Sequence, residues 1–498
     1  MKADIRILAP FAAALACPLG AQTPAPRSTA RQVQSLTLQE AIAMGQQRGP
    51  AAEIARNVRD AARDRNDGFN ARLLPQVVLQ GQAANLNHSI NPITLPDGSI
   101  QYIGQAQNQS TLGLSVQQSI PVTGSVLSVS TQMSRLDLFG DQTSRLYSTT
   151  PVLLTLQQDL FKPRTLVWNE KIQSLNASVA ERGYYEARED VAGAIAGAFF
   201  DLYSGQMTYD NAAANASVND TLYTLNKGRY EVGKIGENDL LNSELQLLRA
   251  RASVDDAKLT RDRAEAALRR LIVYPASQTL SIVTPDSIPT IEADPDLAVR
   301  EALKNASAID QNELDKTQSQ RLMTEAKLSN RFNATVSASV GFNQTASAFG
   351  HSYESPLGKQ ALIVGVNMPM YQWGAGHADV EAAKADNERV AANNKSRTDA
   401  LAEDARFSAL ALAQAQRNVL IAAKADTVAE KRFDVAKNRY VIGKISISDL
   451  YIAQNEKDQA VLSYVQALRG YWTAYYHLRR VTLYDFATKH ELVDERVQ

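Results

Sequence analysis

Arg229-Tyr-Glu-Val-Gly-Lys-Ile-Gly-Glu-Asn-Asp239-Leu-Leu241 returns 210 positions later as Arg439-Tyr-Val-Ile-Gly-Lys-Ile-Ser-Ile-Ser-Asp449-Leu-Tyr451. Seven of the thirteen positions are identical, and each copy lies between two long stretches rich in Ala, Leu and Gln. A repeat of this length indicates one structural unit that is used twice. The same offset places the strand-like segment 155–161 over 365–371, so the unit contains strand as well as helix.

The composition of the 498 residues favours long helices over a core rich in aromatic side chains. Alanine dominates the apolar residues, while the chain has only 3 Trp and 12 Phe. Small residues let helices approach closely. The formal net charge is −1 and no Lys/Arg cluster is present, which argues against a nucleic-acid partner.

The first 21 residues have the pattern of an export signal. Lys2 and Arg6 give a positive start, a short apolar stretch follows, and Ala21 precedes a plausible cleavage point. Cys17, the only cysteine in the sequence, is either a lipid attachment site or is discarded with the signal. Beyond it no apolar run reaches the roughly 18–20 residues of a membrane-spanning helix, so a membrane crossing would use strands.

Several segments alternate between apolar and small polar residues with a period of two. The first half has four such candidates, within 76–82, 111–120, 127–133 and 154–157, and the second half has two, within 335–343 and 362–368. This pattern is typical of a water-lined barrel strand that faces lipid on its other side. A soluble sandwich with one wet face gives the same alternation.

Two proline-free stretches, at 164–230 and 376–440, predict helices of about 67 residues, each about 100 Å long. Each ends at the duplicated turn and is followed by a returning helix, where Leu241, Leu245 and Leu248 have the spacing of a coiled-coil seam. Helices this long cannot fold into a compact globule, so a tube or rod is expected.

The predicted organisation has two repeats behind the N-terminal segment. Its parts are a signal at 1–21, a flexible segment at 22–35, a first repeat at 36–272 (helices 36–72, strands within 76–161, helical hairpin 163–272), a connector at 273–295, a second repeat at 296–481 (helices 296–330, strands within 332–371, helical hairpin 375–481), and a tail at 482–498.

These elements, in this order and spacing, resemble the TolC family of outer-membrane efflux ducts. The most specific marks are Leu38-Gln-Glu-Ala-Ile42, Leu73-Leu-Pro75-Gln and the two Tyr-x-x-Gly-Lys-Ile turns. The resemblance implies an α+β membrane protein of the outer membrane of a Gram-negative-type envelope. Three protomers would close one transmembrane β-barrel, which continues into the periplasm as a coiled-coil α-helical tunnel.

The resemblance also implies partners. The homotrimer would serve a tripartite efflux or type I secretion system through a periplasmic adaptor (membrane fusion protein) and an inner-membrane pump. The family pattern is two strands per repeat, whereas the first repeat here has four candidates, with Pro121-Val-Thr-Gly124 as a turn inside the surplus. The surplus pair would either enlarge the barrel or form a separate hairpin.

A passive duct needs a gate rather than catalytic residues. The family's constricting aspartate falls on Asp449, which would form an acidic ring on the threefold axis; Ile452 stands where the family carries a second acid. The resemblance further suggests a latch in which Asp239 accepts a hydrogen bond from Tyr440, with Ile445 in place of a supporting arginine. Helix capping explains both aspartates equally well, and tip packing explains the tyrosine.

The duplicated turns are the expected docking surface. Gly233 and Gly443 would permit the backbone conformation that ends each long helix. Lys234, Ile235, Lys444 and Ile445 would then lie at an exposed tip, where an adaptor would bind.

No feature of the sequence indicates an enzyme. The five histidines are scattered, and no catalytic constellation, metal-ligand spacing or phosphate-binding glycine loop is present, so no cofactor or metal is expected. The rival interpretation is a periplasmic coiled-coil scaffold or adaptor without a channel. The amphipathic strands count against it, because such a protein needs only the helices.

Overall fold

The computed structural model describes residues 35–139, 143–276, 278–284, 288–442 and 444–493. The predicted signal, most of the flexible segment, Cys17 and Gly443 lie outside the described residues. Within them, no helix is both long and apolar enough to cross a membrane.

Eight α-helices account for most of the described chain. They are α1 (Leu38–Arg48), α2 (Pro50–Arg72), α3 (Thr165–Glu231), α4 (Glu237–Ile272), α5 (Pro295–Asn305), α6 (Ser307–Ser329), α7 (Ala375–Val441) and α8 (Ile447–Thr482). A short 3-10 helix at Gly350–Tyr353 is added to them. The helices of the two halves match pairwise in length, at 11, 23, 67 and 36 residues.

The first helix begins as its sequence predicts. The Thr37 hydroxyl accepts a hydrogen bond from the Glu40 backbone N–H at 3.3 Å, and the Glu40 carboxylate accepts one from the Thr37 N–H at 2.9 Å. This reciprocal capping box satisfies two amides that the helix itself leaves unpaired. Pro50 then occupies the first position of α2, where its missing N–H costs nothing.

One sheet of seven strands lies at the end of the molecule where the long helices begin. Its strands are β2 (Gln76–Gln82), β3 (Leu86–Thr94), β4 (Ile100–Ile120), β5 (Ser125–Phe139), β6 (Ser144–Leu160), β8 (Asn333–Ala346) and β9 (Leu357–Asn367). Their order is β2-β4-β5-β6-β8-β9, with β3 also paired to β4, and all pairs are antiparallel. The predicted strands are present, and β3 is one that the sequence pattern missed.

Two small sheets tie the ends of the helices together. β1 (Ser35–Thr37) pairs in parallel with β7 (Ser281–Val283), which attaches the inter-repeat connector to the start of α1. β10 (Tyr484–Asp485) pairs with β11 (His490–Glu491) after α8.

The main hydrophobic core lies midway along the long helices, where α1 and α5 pack against them. Its largest fully buried side chains are Phe199, Phe200, Leu412 and Tyr471. Further along, α3 and α4 approach closely at Gly205, where a Cβ atom would lie 3.0 Å from the Arg261 Cα.

Beside this core lies a buried ion pair. The Arg479 guanidinium contacts the Glu189 carboxylate at 2.8 Å and the Asp485 carboxylate at 3.3 Å. Asp485 also accepts a hydrogen bond from the Tyr475 hydroxyl at 2.8 Å. The network joins α3, α8 and the segment after α8.

The leucine seam predicted on α4 is not buried within the chain. Leu241, Leu245, Leu248 and Leu259 are exposed, whereas Leu247 and Leu268 are the leucines that α4 buries. The exposed four form a stripe along one side of the helix, because they recur at helical spacing. The stripe therefore faces away from the chain's own helices.

Candidate functional site at the helical tip

The two long hairpins turn by closely similar routes. Gly233 has the left-handed φ of +72°, and the Lys234 N–H donates to the Arg229 carbonyl at 2.8 Å. At the equivalent place, the Lys444 N–H donates to the Arg439 carbonyl at 2.9 Å. A hydrogen bond over five residues is typical of a helix that ends at a glycine. The predicted role of Gly233 is confirmed.

Asp449 caps the helix that follows the second turn. The Ser446 hydroxyl and backbone N–H donate to its Oδ2 at 2.7 and 3.1 Å, and its own N–H donates to the Ser446 Oγ at 3.2 Å. The hydrogen bonds from the Ser446 hydroxyl and then from its N–H lower the pKa of the Asp449 carboxyl. The carboxylate is exposed and ionised at neutral pH.

The cap occupies only one oxygen of Asp449, since both donors are directed to Oδ2. Capping and a role in a pore are therefore compatible at the same residue. Ile452 lies one turn further along α8 and is also exposed. Whether these two residues face an axis depends on neighbouring copies, so the acidic ring stays a prediction.

Tyr440 is packed inside the tip of a single chain. It is buried in a cluster with Leu222 of α3, Phe433 of α7, and Leu450 and Ala453 of α8. The Arg229 guanidinium lies 6.0 Å from the centre of its ring. Arg229 belongs to the first duplicated turn and Tyr440 to the second, so the two turns are neighbours in space.

Asp239 lies apart from that cluster, exposed in the first turn of α4. Its backbone carbonyl accepts the Ser243 hydroxyl at 2.9 Å, and Ser243 in turn accepts the Asn226 amide at 2.6 Å. Among the described residues no hydrogen bond joins Asp239 to Tyr440. A latch between neighbouring helical pairs stays a prediction.

The exposed apolar residues of the tip are not the isoleucines that the sequence suggested. Ile235 and Ile445 are half-buried, and Ile445 packs against the Tyr440 cluster. The side chains that reach solvent are Val232, 67% exposed, and Ile442, 64% exposed. These two are related by the same offset of 210, and both precede a turn glycine. Lys234 and Lys444 are exposed as predicted.

A second feature that the sequence did not indicate is the hydroxyl of Tyr451. It is buried at the tip and lacks a hydrogen-bond partner among the described residues. Burial raises the pKa of this phenol to about 12. Leu241 occupies the equivalent place in the first hairpin, so the duplication gives no sign of it.

The fold of the whole chain matches solved channel structures. No protein-family model and no curated protein matches the sequence. The CmeC outer membrane channel of Campylobacter jejuni is 14% identical with a TM-score of 0.66, covering 92% of this chain and 87% of that one. The outer membrane protein VceC of Vibrio cholerae is 14% identical with a TM-score of 0.64, covering 90% and 96%.

The open state of the MtrE outer membrane channel of Neisseria gonorrhoeae is 16% identical with a TM-score of 0.60, covering 89% of this chain and 88% of that one. At such low identity these likenesses establish the fold. The chain has the fold of the TolC-like outer-membrane channels, as the order of its sequence elements predicted.

Proposed function

We propose that this chain, which has the fold of the TolC-like channels, is the passive outer-membrane channel-tunnel of a tripartite exporter. The observation that carries the proposal is the joining of two 67-residue helices to a sheet with one apolar face. The helices would form the periplasmic tunnel and the sheet the wall of a barrel in the outer membrane. Such a duct opens a path and supplies no energy.

Two exposed apolar surfaces support a homotrimer. The leucine stripe on α4 and the apolar face of the sheet would both be costly to leave in water. In a trimer the stripe packs on helices of the next copy, and the sheet face contacts lipid. A periplasmic scaffold, the rival interpretation, would leave the sheet face without a use.

The tip is the proposed gate and docking surface. Three copies of Asp449 would form a ring that attracts cations, with Ile452 as an apolar ring one turn away. Asp239 and Tyr440 are the proposed latch between helical pairs, which an adaptor would release. Val232 and Ile442 join Lys234 and Lys444 as the proposed adaptor contacts.

The first experiment is to record currents from detergent-extracted protein in planar bilayers. We expect small cation-selective channels from the wild type. Asp449→Asn removes the charge while keeping an acceptor for Ser446, and should abolish the selectivity. Ser446→Ala removes the cap while keeping the charge, and should preserve it.

The outcomes separate the duct from its gate. Channels whose selectivity survives Asp449→Asn would keep the duct and make Asp449 a cap alone. Folded trimer that never conducts, even with the latch removed by Asp239→Ala and Tyr440→Phe, would contradict the channel and favour a scaffold.

A further inference from the structure

The first half of the chain has a surplus of sheet. From α1 and α2 to α5 and α6 the offset between equivalent helices is 257 residues, while from α3 and α4 to α7 and α8 it is 210. The first half therefore holds 47 residues more between its second and third helices. By these two offsets β2 corresponds to β8 and β6 to β9, so the hairpin β4–β5 is the surplus.

The surplus hairpin lies inside the sheet. β4 pairs with β2 along all seven residues of that strand, and β5 pairs with β6 from Ser125 to Leu138, with one irregularity. β2 and β3 both pair with β4 and together form one interrupted edge strand. Across the sheet one chain thus supplies six strand positions.

The hairpin carries the same two faces as its neighbours. Val116 of β4 and Val129 of β5 lie in register between Val77 of β2 and Leu154 of β6, and the row continues to Val340. The adjacent row on the other face is polar throughout, with Gln76, Gln117, Ser128, Thr155 and Ser339. One apolar face and one polar face are continuous through five strands.

The sheet is also less exposed on its polar side. Val129, Leu154 and Val340 are exposed, whereas Ser128, Thr155 and Ser339 are half-buried. A sheet that curves around its polar face gives this difference. The curvature is the one that a barrel with a wet interior requires.

The turn of the hairpin is bonded to the strand ends beside it. The Gln118 side-chain amide donates to the Leu73 carbonyl at 2.6 Å, next to the end of α2. The Gln158 amide donates to the Thr123 carbonyl at 2.9 Å, next to the start of α3. The turn at 121–124 therefore lies on the rim where the helices join the sheet.

The two edges of the sheet are open in a single chain. Every residue of β2 and of β9 is exposed, including Leu79 and Leu362. β2 leads away from the helices and β9 returns toward them, so β9 of one copy can pair antiparallel with β2 of the next. An open apolar edge is an aggregation hazard that barrel closure removes.

We propose that three copies close a barrel of eighteen strands, in which the β4–β5 hairpin is part of the membrane wall. The proposal rests on the trimeric channel proposed above; two strands per repeat would give twelve. With strands about 4.8 Å apart and tilted by about 40°, eighteen strands give a diameter of about 36 Å and twelve about 24 Å. The wall is thus about 1.5-fold wider.

Electron cryo-microscopy of the full chain in lipid nanodiscs tests the strand number directly. We expect a threefold particle with eighteen strands in cross-section at the level of Val116. A threefold particle with twelve strands, and the hairpin outside the wall, would overturn this inference and keep the channel. Particles without threefold closure would overturn both.

Cysteine pairs provide an independent test in native membranes, because Cys17 is the only cysteine in the sequence. Ser128→Cys with Thr155→Cys joins direct neighbours on β5 and β6 and should form a disulfide within one chain. Gln76→Cys with Thr155→Cys is the matched control. In the eighteen-stranded wall these two are separated by β4 and β5 and should not react.

The control pair becomes a neighbour pair only if the hairpin leaves the wall and β2 meets β6. Peptide mass spectrometry after mild oxidation identifies which disulfide has formed. A disulfide between positions 76 and 155, with none between 128 and 155, would contradict the inference.

Discussion

At the scale of single residues, the oxygens of Asp449 divide two tasks. Oδ2 accepts both hydrogen bonds from Ser446, and the pKa of the carboxyl is lowered as a result. A lowered pKa means that the cap is complete above the ordinary aspartate pKa of about 3.9 and is lost as the pH falls through the folded value. Helix end and gate would then titrate together.

The pH dependence of selectivity follows from this. We expect cation selectivity to persist below the ordinary pKa of an aspartate and to disappear only in more acidic solution. Ser446→Ala removes the hydrogen bonds that lower the pKa, so the loss should move to higher pH. Reversal potentials measured in planar bilayers across this range check the shift. Identical profiles for wild type and Ser446→Ala would contradict it.

The turn glycine is the second prediction at this scale. Gly233→Ala forces a Cβ atom into the left-handed region and should destabilise the first turn by about 1–2 kcal/mol. Gly228→Ala is the matched control, since Gly228 lies within α3 with open space around its Cα. The control should be neutral or slightly stabilising. Hydrogen exchange of the 229–240 amides compares the two, and equal exchange rates would count against the strain.

Local spacing makes some residues predictable and leaves others hidden. Thr37 and Glu40 are three residues apart, so their capping box can be derived from the sequence alone. The surroundings of Tyr440 cannot, because Leu222 and Leu450 reach it from other helices. Sequence patterns also do not distinguish Ile445 from Ile442, whose exposure is decided by the path of the turn.

At the scale of helices and hairpins, the tip presents a matched pair of apolar side chains. Val232→Ser combined with Ile442→Ser should reduce export substantially while leaving the thermal stability of the trimer unchanged, because both side chains are exposed. Val428→Ser, at an exposed position further down α7, is the control and should have no effect. Loss of export in the control as well would contradict a specific docking role.

Two neighbouring arginines give a stability prediction for the middle of the long helices. Arg479→Met leaves the buried Glu189 without its partner and should destabilise the fold by about 3–5 kcal/mol. Arg480→Met removes a pair with the exposed Asp190 and should cost under about 1 kcal/mol. Thermal aggregation of detergent-extracted protein ranks the variants. Equal losses would show that burial does not decide the difference.

The helices could be predicted because proline-free runs and caps are local signals. The predicted limits of 164–230 and 376–440 differ from those of α3 and α7 by one residue at each end. The strand β3 was missed, since His88, Asn91 and Pro92 interrupt the apolar alternation. The α4 seam was recognised as apolar, but which partner it faces is a property of the assembly.

At the scale of the whole molecule, closure between copies is the testable property. Val77→Cys combined in turn with Leu362→Cys, Val364→Cys or Val366→Cys places thiols on the apolar faces of the two open edges. We expect at least one pair to give cross-linked bands up to a trimer and no further on denaturing gels. Single-cysteine variants are the control. Bands beyond the trimer, or none with any pair, would contradict head-to-tail closure.

The order of the sheet could not be predicted from the sequence. Alternation identifies a strand and its two faces, but not its neighbours, so the surplus pair was compatible with several positions. The rows from Val77 to Val340 decide the matter, because every strand contributes its apolar residues at the same level. That the two halves are copies of one ancestral unit stays a prediction, which the equal helix lengths support.

The insertion of β4–β5 has a consequence for how such a wall can grow. Adding one strand would reverse the direction of everything after it, and α3 would emerge on the far side of the membrane. Adding a pair restores the direction, so the tunnel below needs no change in its helices. The width of the pore and the length of the tunnel can therefore evolve separately, with the hairpin as the smallest heritable increment.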